Sequence, residues 1–237
     1  MTLAPGALPA VVAATGLARE AQIAAGPGVL AVACGLDAGR LAVALEQAVA
    51  DGAGAIISFG IAGGLVADAH PGTWIVGRSV VAAATRWTCD AAWTQVLLRR
   101  LPGAWFAELA GSAVALCLPL DKRALHDATG AMAVDTESHV AAAVAAAHRL
   151  PFAAFRVIAD PVDQQLPAAA SVALGPRGEV RFAAVAASLA RTPGQLRSLV
   201  RTAISARKAF AALSRGRRLL GLRFGYGDLR ELDVDVA

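Results

Sequence analysis

The sequence is poor in the residues that build stapled, metal-bound or membrane-spanning proteins. Its three cysteines, Cys34, Cys89 and Cys117, are an odd number without C-x-x-C spacing, which argues against a disulfide framework and fits a reducing, cytoplasmic setting. His70, His126, His139 and His148 show no metal-ligand spacing, so no metal site is expected. Charged residues are only 17% of the 237 and the mean hydropathy is high, +0.55. No apolar run is nevertheless long enough to cross a bilayer: Gly52 to Ala67 is short and interrupted by Gly54, Gly60, Gly63 and Gly64. No charge precedes Arg19, yet this segment lacks a basic start and carries Pro5 and Pro9. It reads as a tail leading into a first strand rather than a signal sequence. Acidic residues are absent from Arg191 to Phe224, where nine basic residues fall. That asymmetry asks for a partner or a solvated face.

What is present is core-forming material, 57% hydrophobic. Short apolar strands are expected at Ala10–Ala14, Gly28–Ala33 and Ala53–Phe59, then near Thr73–Ala83 and Ala113–Leu118. Helices are expected after Gly16, over Asp37–Ala50 with Asp37 as N-cap, and near Asp90–Arg100 and Asp121–Ala128. Strands alternating with helices predict a three-layer α/β sandwich around a mixed, mostly parallel sheet. Residues 1–163 form the expected core. Residues 164–237 are expected to belong to the same domain as a loop, Leu166 to Gly178, followed by a basic amphipathic helix from Gln195.

The stretch from Ala131 to Asp163 organises the rest. It reads as a strand to Val134, an acidic turn with Asp135 and Glu137, an alanine-rich helix from Ser138, and a second strand, Phe152–Ala159. That second strand is apolar throughout except for Arg156, as in a buried parallel sheet. Asp160 stands just past its carboxyl end, on the edge where open α/β sheets place their ligand crevices. Glu20 lies on the same edge after the first strand. The glycines from Gly60 to Gly64 admit two readings, an anion-binding nest or a purely structural turn. They match neither a dinucleotide fingerprint nor a P-loop.

The segments AVDTES and LPFAAFRVIAD, with FGIAGGL and ATGLAREA in the same order and spacing, are similar to the signature of the purine nucleoside phosphorylase and methylthioadenosine/S-adenosylhomocysteine nucleosidase superfamily. The resemblance covers about Val11 to Asp163. The run KRALHDATGAMAVDTESH and the arginine-rich tail further resemble the hopanoid-associated phosphorylases, a branch that removes adenine from adenosylhopane. It implies cleavage of the N-glycosidic bond of a 5′-substituted adenosine. Asp160 would protonate the purine N7, Glu137 would accept hydrogen bonds from the ribose hydroxyls, and Glu20 would orient an attacking water. Ile61, Gly63, Gly64, Leu116, Asp135 and Thr136 would line the substrate. The resemblance implies no cofactor beyond inorganic phosphate as an optional co-substrate, which Arg40 or Arg19 would hold, and a homo-oligomer.

The departures bear on mechanism. Thr136 stands where the family often has methionine and Ala159 where it has serine. Ala113 and Ala115 replace the usual purine-binding residues, and Ser58 stands where hexameric phosphorylases use arginine. Loss of that arginine with retention of Glu20 leans toward water as nucleophile. Methylthioadenosine or S-adenosylhomocysteine is the alternative substrate, and a non-catalytic nucleoside- or lipid-binding protein the alternative class. The basic helix either meets an anionic membrane through 195–224, at the inner face of the membrane, or packs on the core. Nucleic acid is not an expected partner.

Overall fold

A computed structural model describes residues 10–167 and 191–228, together with 178, 179 and 187. The elements in chain order are β1 (Val11–Thr15), α1 (Ala18–Ala24), β2 (Val29–Ala33), α2 (Ala38–Ala50), β3 (Ala55–Gly64), β4 (Trp74–Ala82) and β5 (Thr85–Thr88). They continue with α3 (Ala91–Arg100), β6 (Trp105–Gly111), α4 (Pro119–Thr129), β7 (Ala133–Asp135), α5 (Ser138–Ala147), β8 (Phe152–Asp160) and α6 (Leu196–Leu220).

One mixed sheet runs β2-β1-β3-β7-β6-β4-β5, and β8 bridges β3 and β4. β8 is parallel to β3 and antiparallel to β4, so β3, β8, β4, β6 and β7 close into a ring. Five of the eight pairings are parallel. β1, β3 and β8 are buried almost throughout, which explains their runs of Ala, Val and Ile without alternation. Helices cover both faces. Leu41, Leu45, Val140 and Val144 of α2 and α5 pack on one side. Trp93, Leu97, Phe210 and Leu213 of α3 and α6 pack on the other. The expected three layers and mixed sheet are thus the observed ones.

Three details differ from the sequence reading. Ala113–Leu118 is not a strand; Ala113, Val114 and Ala115 are exposed, and the strand there is β6, which ends at Gly111 between β7 and β4 and opens on Trp105 and Phe106. The short β5, exposed and polar at Thr85, Arg86 and Thr88, offers no hydrophobic signal and exists by antiparallel pairing to β4. Gly60 to Gly64 is neither nest nor turn: β3 runs through it, flanked by β8 and β7. β8 pairs with it from Gly60 to Gly63 and β7 at Gly63 and Gly64, and strand interiors accept glycine where other groups approach closely.

The basic helix resolves into two halves. From Ser205 to Leu220 it buries Ala209, Phe210, Leu213, Gly216 and Leu220, whereas Leu196, Val200 and Ile204 are exposed. Its arginines also pack, with Arg215 over the Trp74 ring at 4.7 Å and Arg217 over Phe224 at 4.4 Å. No helix among the described residues is long and apolar enough to cross a membrane. The Leu166–Gly178 loop lies, at 168–177, outside the described residues. Because α6 completes one core layer, Leu213→Ala is expected to destabilise the protein by about 2–5 kcal/mol through transfer and cavity costs, measured as a lowered midpoint in urea.

Candidate active site

The site is built where β1, β3, β7 and β8 end close together. Leu17 cannot cap α1 with its side chain, and Glu20, in the first turn, bends back to do so. Its Oε2 accepts from the backbone N–H groups of Gly16 at 2.9 Å and Leu17 at 2.8 Å, and its Oε1 from Ile61 at 2.7 Å. Three main-chain donors therefore fix a carboxylate that is 2% exposed. Burial pushes the Glu20 carboxyl up, against the pull of Arg156 and these N–H groups.

Asp135 performs the matching task at α5. It accepts from the N–H of Glu137 at 2.9 Å and from the N–H and hydroxyl of Ser138, both at 2.6 Å. The same carboxylate faces Arg156 at 3.0 Å. Asp135, placed beside the substrate by the family resemblance, thus spends its lone pairs on α5 and on Arg156. Glu137 pairs with the other guanidinium nitrogen at 3.1 Å and accepts from the Thr136 hydroxyl. Burial pushes its carboxyl up to about 7; Arg156 pulls it down, while Asp135 and Glu20 push it further up.

Arg156 is the group that sequence reasoning left without a role. Its side chain is 0% exposed in the middle of β8. Besides the two carboxylates it donates to the Ile61 carbonyl at 3.3 Å, to Ser138 Oγ at 3.3 Å, and to Ser58 Oγ. Ser58 Oγ and Ser138 Oγ are 2.8 Å apart. Since Ser138 donates to Asp135, Ser58 donates to Ser138 while accepting from Arg156. Burial alone would lower Arg156, but Asp135, Glu137 and Glu20 outweigh it and raise it. The available signal was one charge in a strand otherwise apolar on both faces.

Two glycines make this convergence possible. A methyl group on Gly16 would lie 2.5 Å from Glu137 Oε1, and one on Gly60 would lie 2.4 Å from Glu20 Oε1 and 2.7 Å from an Arg156 nitrogen. No larger residue fits either place.

Asp160 lies further along the same strands. β3 and β8 slip register between Ala62 and Gly63, so that Gly63 faces Asp160. A β-bulge of this kind re-aims a side chain beside a site. A methyl group on Gly63 would come 3.3 Å from Asp160 Oδ2. Asp160 pairs with Lys122 of α4. Burial pushes the Asp160 carboxyl up and Lys122 pulls it back. Lys122 is the second group missed in the sequence, where it reads as one of a solvated Lys-Arg pair.

The remaining residues fall around this line. Thr136 and Ile61 are partly buried, Ile61 joining Glu20 and Arg156 through its own peptide groups. Gly63 and Gly64 pair with Val134 and Ala133 of β7. Leu116 packs against a small cluster with Leu65 and Val134. Arg40 is exposed on the first turn of α2, and Arg19 lies over the Phe210 ring at 4.4 Å, toward α6. The Gly178 carbonyl accepts from Ala18 N–H at 3.2 Å, bringing the chain after β8 back to the turn beside Glu20. No cluster of three or more His, Cys, Asp or Glu suited to a metal ion occurs among the described residues.

Solved structures share this arrangement of elements. A 5′-methylthioadenosine/S-adenosylhomocysteine nucleosidase mutant from Helicobacter pylori, with 5′-methylthioadenosine in its active site, matches with a TM-score of 0.62 at 12% identity, over 89% of this chain and 98% of that one. The futalosine hydrolase of the same organism matches at 0.59 and 14%, over 89% and 97%. The Campylobacter jejuni nucleosidase matches at 0.57 and 12%, over 87% and 98%. The chain has the nucleoside phosphorylase–nucleosidase fold. No family profile and no curated protein sequence matches it, so the nucleosidase fold is evident in the architecture at identities where alignment alone is silent.

Two outcomes test the charge cluster. Arg156→Met leaves three buried carboxylates without their cation and is expected to cost about 3–5 kcal/mol of stability, seen as a large drop in the urea midpoint. Glu137 is protonated in both folded and unfolded chains below 4.5, and only in the folded chain between 4.5 and about 7. Its contribution is therefore full below the lower value and lost as pH rises through the upper one. The loss is on the order of 3 kcal/mol, and Glu137→Gln is expected to flatten the fall in stability across that window.

Proposed function

We propose that the protein is a nucleosidase that cleaves the N-glycosidic bond of an adenosine-type nucleoside and releases adenine, with water as the nucleophile. The observation that carries this reading is the placement of two acidic centres along one strand. Glu20 and Glu137 gather on Arg156 at Gly60, and Asp160 faces Gly63. Three residues of strand separate them, about 10 Å at 3.3 Å per residue, which suits a nucleoside with its sugar at one end and its purine at the other.

The chemistry follows from where charge moves. As the bond from C1′ to the purine N9 breaks, its electron pair stays with the base and positive charge grows on the ribose. Protonated Asp160 delivers its proton to N7, which neutralises the departing base. Glu137 accepts hydrogen bonds from the ribose hydroxyls, holding the sugar as it flattens. Water bonds to C1′ and gives its proton to Glu20. Burial raises both Glu20 and Asp160, which makes the first a stronger base and leaves more of the second protonated near neutrality.

Electrostatics favour water over phosphate. Arg156 already faces Asp135 and Glu137 and feels Glu20, so an incoming phosphate would add charge of the sign already in excess. Ser58, at the place of the phosphorylase arginine, is buried and spent on Ser138 and Arg156.

Adenosylhopane is the finer substrate we propose, on the likeness of KRALHDATGAMAVDTESH and on α6. Exposed Leu196, Val200 and Ile204 stand beside Arg197 and Arg201, a combination suited to lying on an anionic membrane that carries a lipid-linked nucleoside. The test is adenine release, followed by chromatography, from adenosylhopane in micelles, methylthioadenosine and S-adenosylhomocysteine, with and without phosphate. The expected result is phosphate-independent release, fastest from adenosylhopane, and a loss of about 10²–10⁴ in kcat for Asp160→Asn. A requirement for phosphate would overturn water as nucleophile. A preference for the thioethers would overturn the lipid substrate, and silence on all three would overturn the activity.

A further inference from the structure

Lysine is almost never fully buried unless paired, yet Lys122 is the single buried side chain of α4, at 0% exposure. Its neighbours on that helix are mostly exposed, Leu120 included at 74%. The lysine Nζ donates to Asp160 Oδ2, to the Pro161 carbonyl at 2.9 Å and to the Gln164 carbonyl at 3.4 Å. A helix that turns inward its one buried cation, and ends that cation's three donors on the last residue of β8 and the turn beyond it, is not doing so for packing. Gln164 continues the connection, its amide donating to Thr202 Oγ1 at 3.0 Å and accepting from Ser205 Oγ at 3.4 Å on α6. Lys122 is thus joined to Asp160 on one side and, through Gln164, to the helix that seals the core on the other.

We propose that Lys122 is the positioning residue of this reaction's acid: it fixes the Asp160 carboxyl opposite Gly63 and sets the pH at which that carboxyl holds its proton. The inference rests on the reading of Asp160 as the acid that protonates the leaving base. Other titratable groups near this end are His70 after β3, Arg123 and His126 of α4, and Asp163 beyond β8, which line an open cleft of about 580 Å³. His126 Nδ1 is engaged with the Ala131 carbonyl at 2.8 Å. Lys122 is the group whose charge meets Asp160 directly. Such a partner works on both sides of the proton transfer. It makes Asp160 a stronger acid than burial alone would allow, and it stabilises the carboxylate left once the proton has gone to the purine. Asp160 also keeps one fixed direction, which a carboxyl at a strand end would otherwise lose.

The test uses the full chain with Lys122→Met, Lys122→Gln and Lys122→Arg, checked for folding by circular dichroism, with two readouts. The first is the ¹³C-carboxyl NMR titration of Asp160, assigned by the signal missing in Asp160→Asn. The second is the pH profile of kcat and KM for adenine release. Without the charge, the Asp160 midpoint and the descending limb of kcat are expected to move up together by about one to three pH units. kcat is expected to fall at least about tenfold with KM within about threefold, and Lys122→Arg to restore the wild-type midpoint. Lys122→Gln keeps a donor at the site and serves where the methionine variant fails to fold. An Asp160 midpoint unmoved in the neutral variants, or a lower kcat with an unmoved profile, overturns the proposal. A shifted midpoint in a protein that releases no adenine would uphold the Lys122–Asp160 linkage while overturning the assigned activity, so the two failures are separable.

Discussion

Arg156 is the group around which the site is assembled. A guanidinium at 0% exposure in the centre of a sheet is costly to desolvate, and only multiple charged and hydrogen-bonded partners make it tolerable. Those partners come from several elements: Asp135 from β7, Glu137 before α5, Ser138 in α5, and Ser58 and Ile61 in β3. Glu20 joins through Ile61 and through charge. Each partner also caps or closes something of its own, Glu20 the start of α1 and Asp135 the start of α5. The cation therefore locks helix starts and strand ends in a single network, and the network cannot loosen at one point without exposing a buried charge at another.

That network carries one positive charge against three carboxylates, and the imbalance has a chemical consequence. In a poorly solvated place the excess negative charge favours holding protons, and burial raises both Glu20 and Glu137, the latter to about 7. The fold also keeps this cluster apart from Asp160. Asp160 lies three strand residues beyond Gly60 and has a cation of its own in Lys122. Two acidic centres spaced along β3, each with a separate counter-charge, titrate on separate terms.

Much of this was legible in the sequence because it is local. The runs of Ala, Val and Ile in β1, β3 and β8, the Asp37 cap and the helices after acidic turns all follow from periodicity and capping, and all appear in the structure. Glu20, Glu137 and Asp160 stand out only together, each near a strand end and each in a segment that resembles the nucleoside phosphorylase and nucleosidase superfamily. What was illegible is non-local. Nothing in the residues of β5 says that it pairs with β4, and the apolar run Ala113–Ala115 reads as a strand although it is exposed. The fate of Gly60 to Gly64 depends on β7 and β8 arriving on either side. Ser58 reads as a plain strand residue until Arg156, 98 residues later, is found on it. Lys122 reads as surface until Asp160, 38 residues away, is found against it.

The closed ring of β3, β8, β4, β6 and β7 explains why these distant pairs are so exact a fit to one another. In an open sheet β8 would be an edge strand, and its carboxyl end would be free to fray. Here β3 holds one side in parallel and β4 the other in antiparallel register, so Arg156 is fixed by strands along both edges, while Asp160 is registered on Gly63 of β3. The slip between Ala62 and Gly63 then falls between the two acidic centres rather than within either. It changes the registration of Asp160 relative to β3 while leaving Gly60 opposite Arg156. A bulge costs a paired peptide, and strands retain one where it aims a side chain. Its position in this ring, between the Glu20–Glu137 cluster and Asp160, allows the spacing of the two acidic centres to be set by one inserted residue without disturbing the buried arginine.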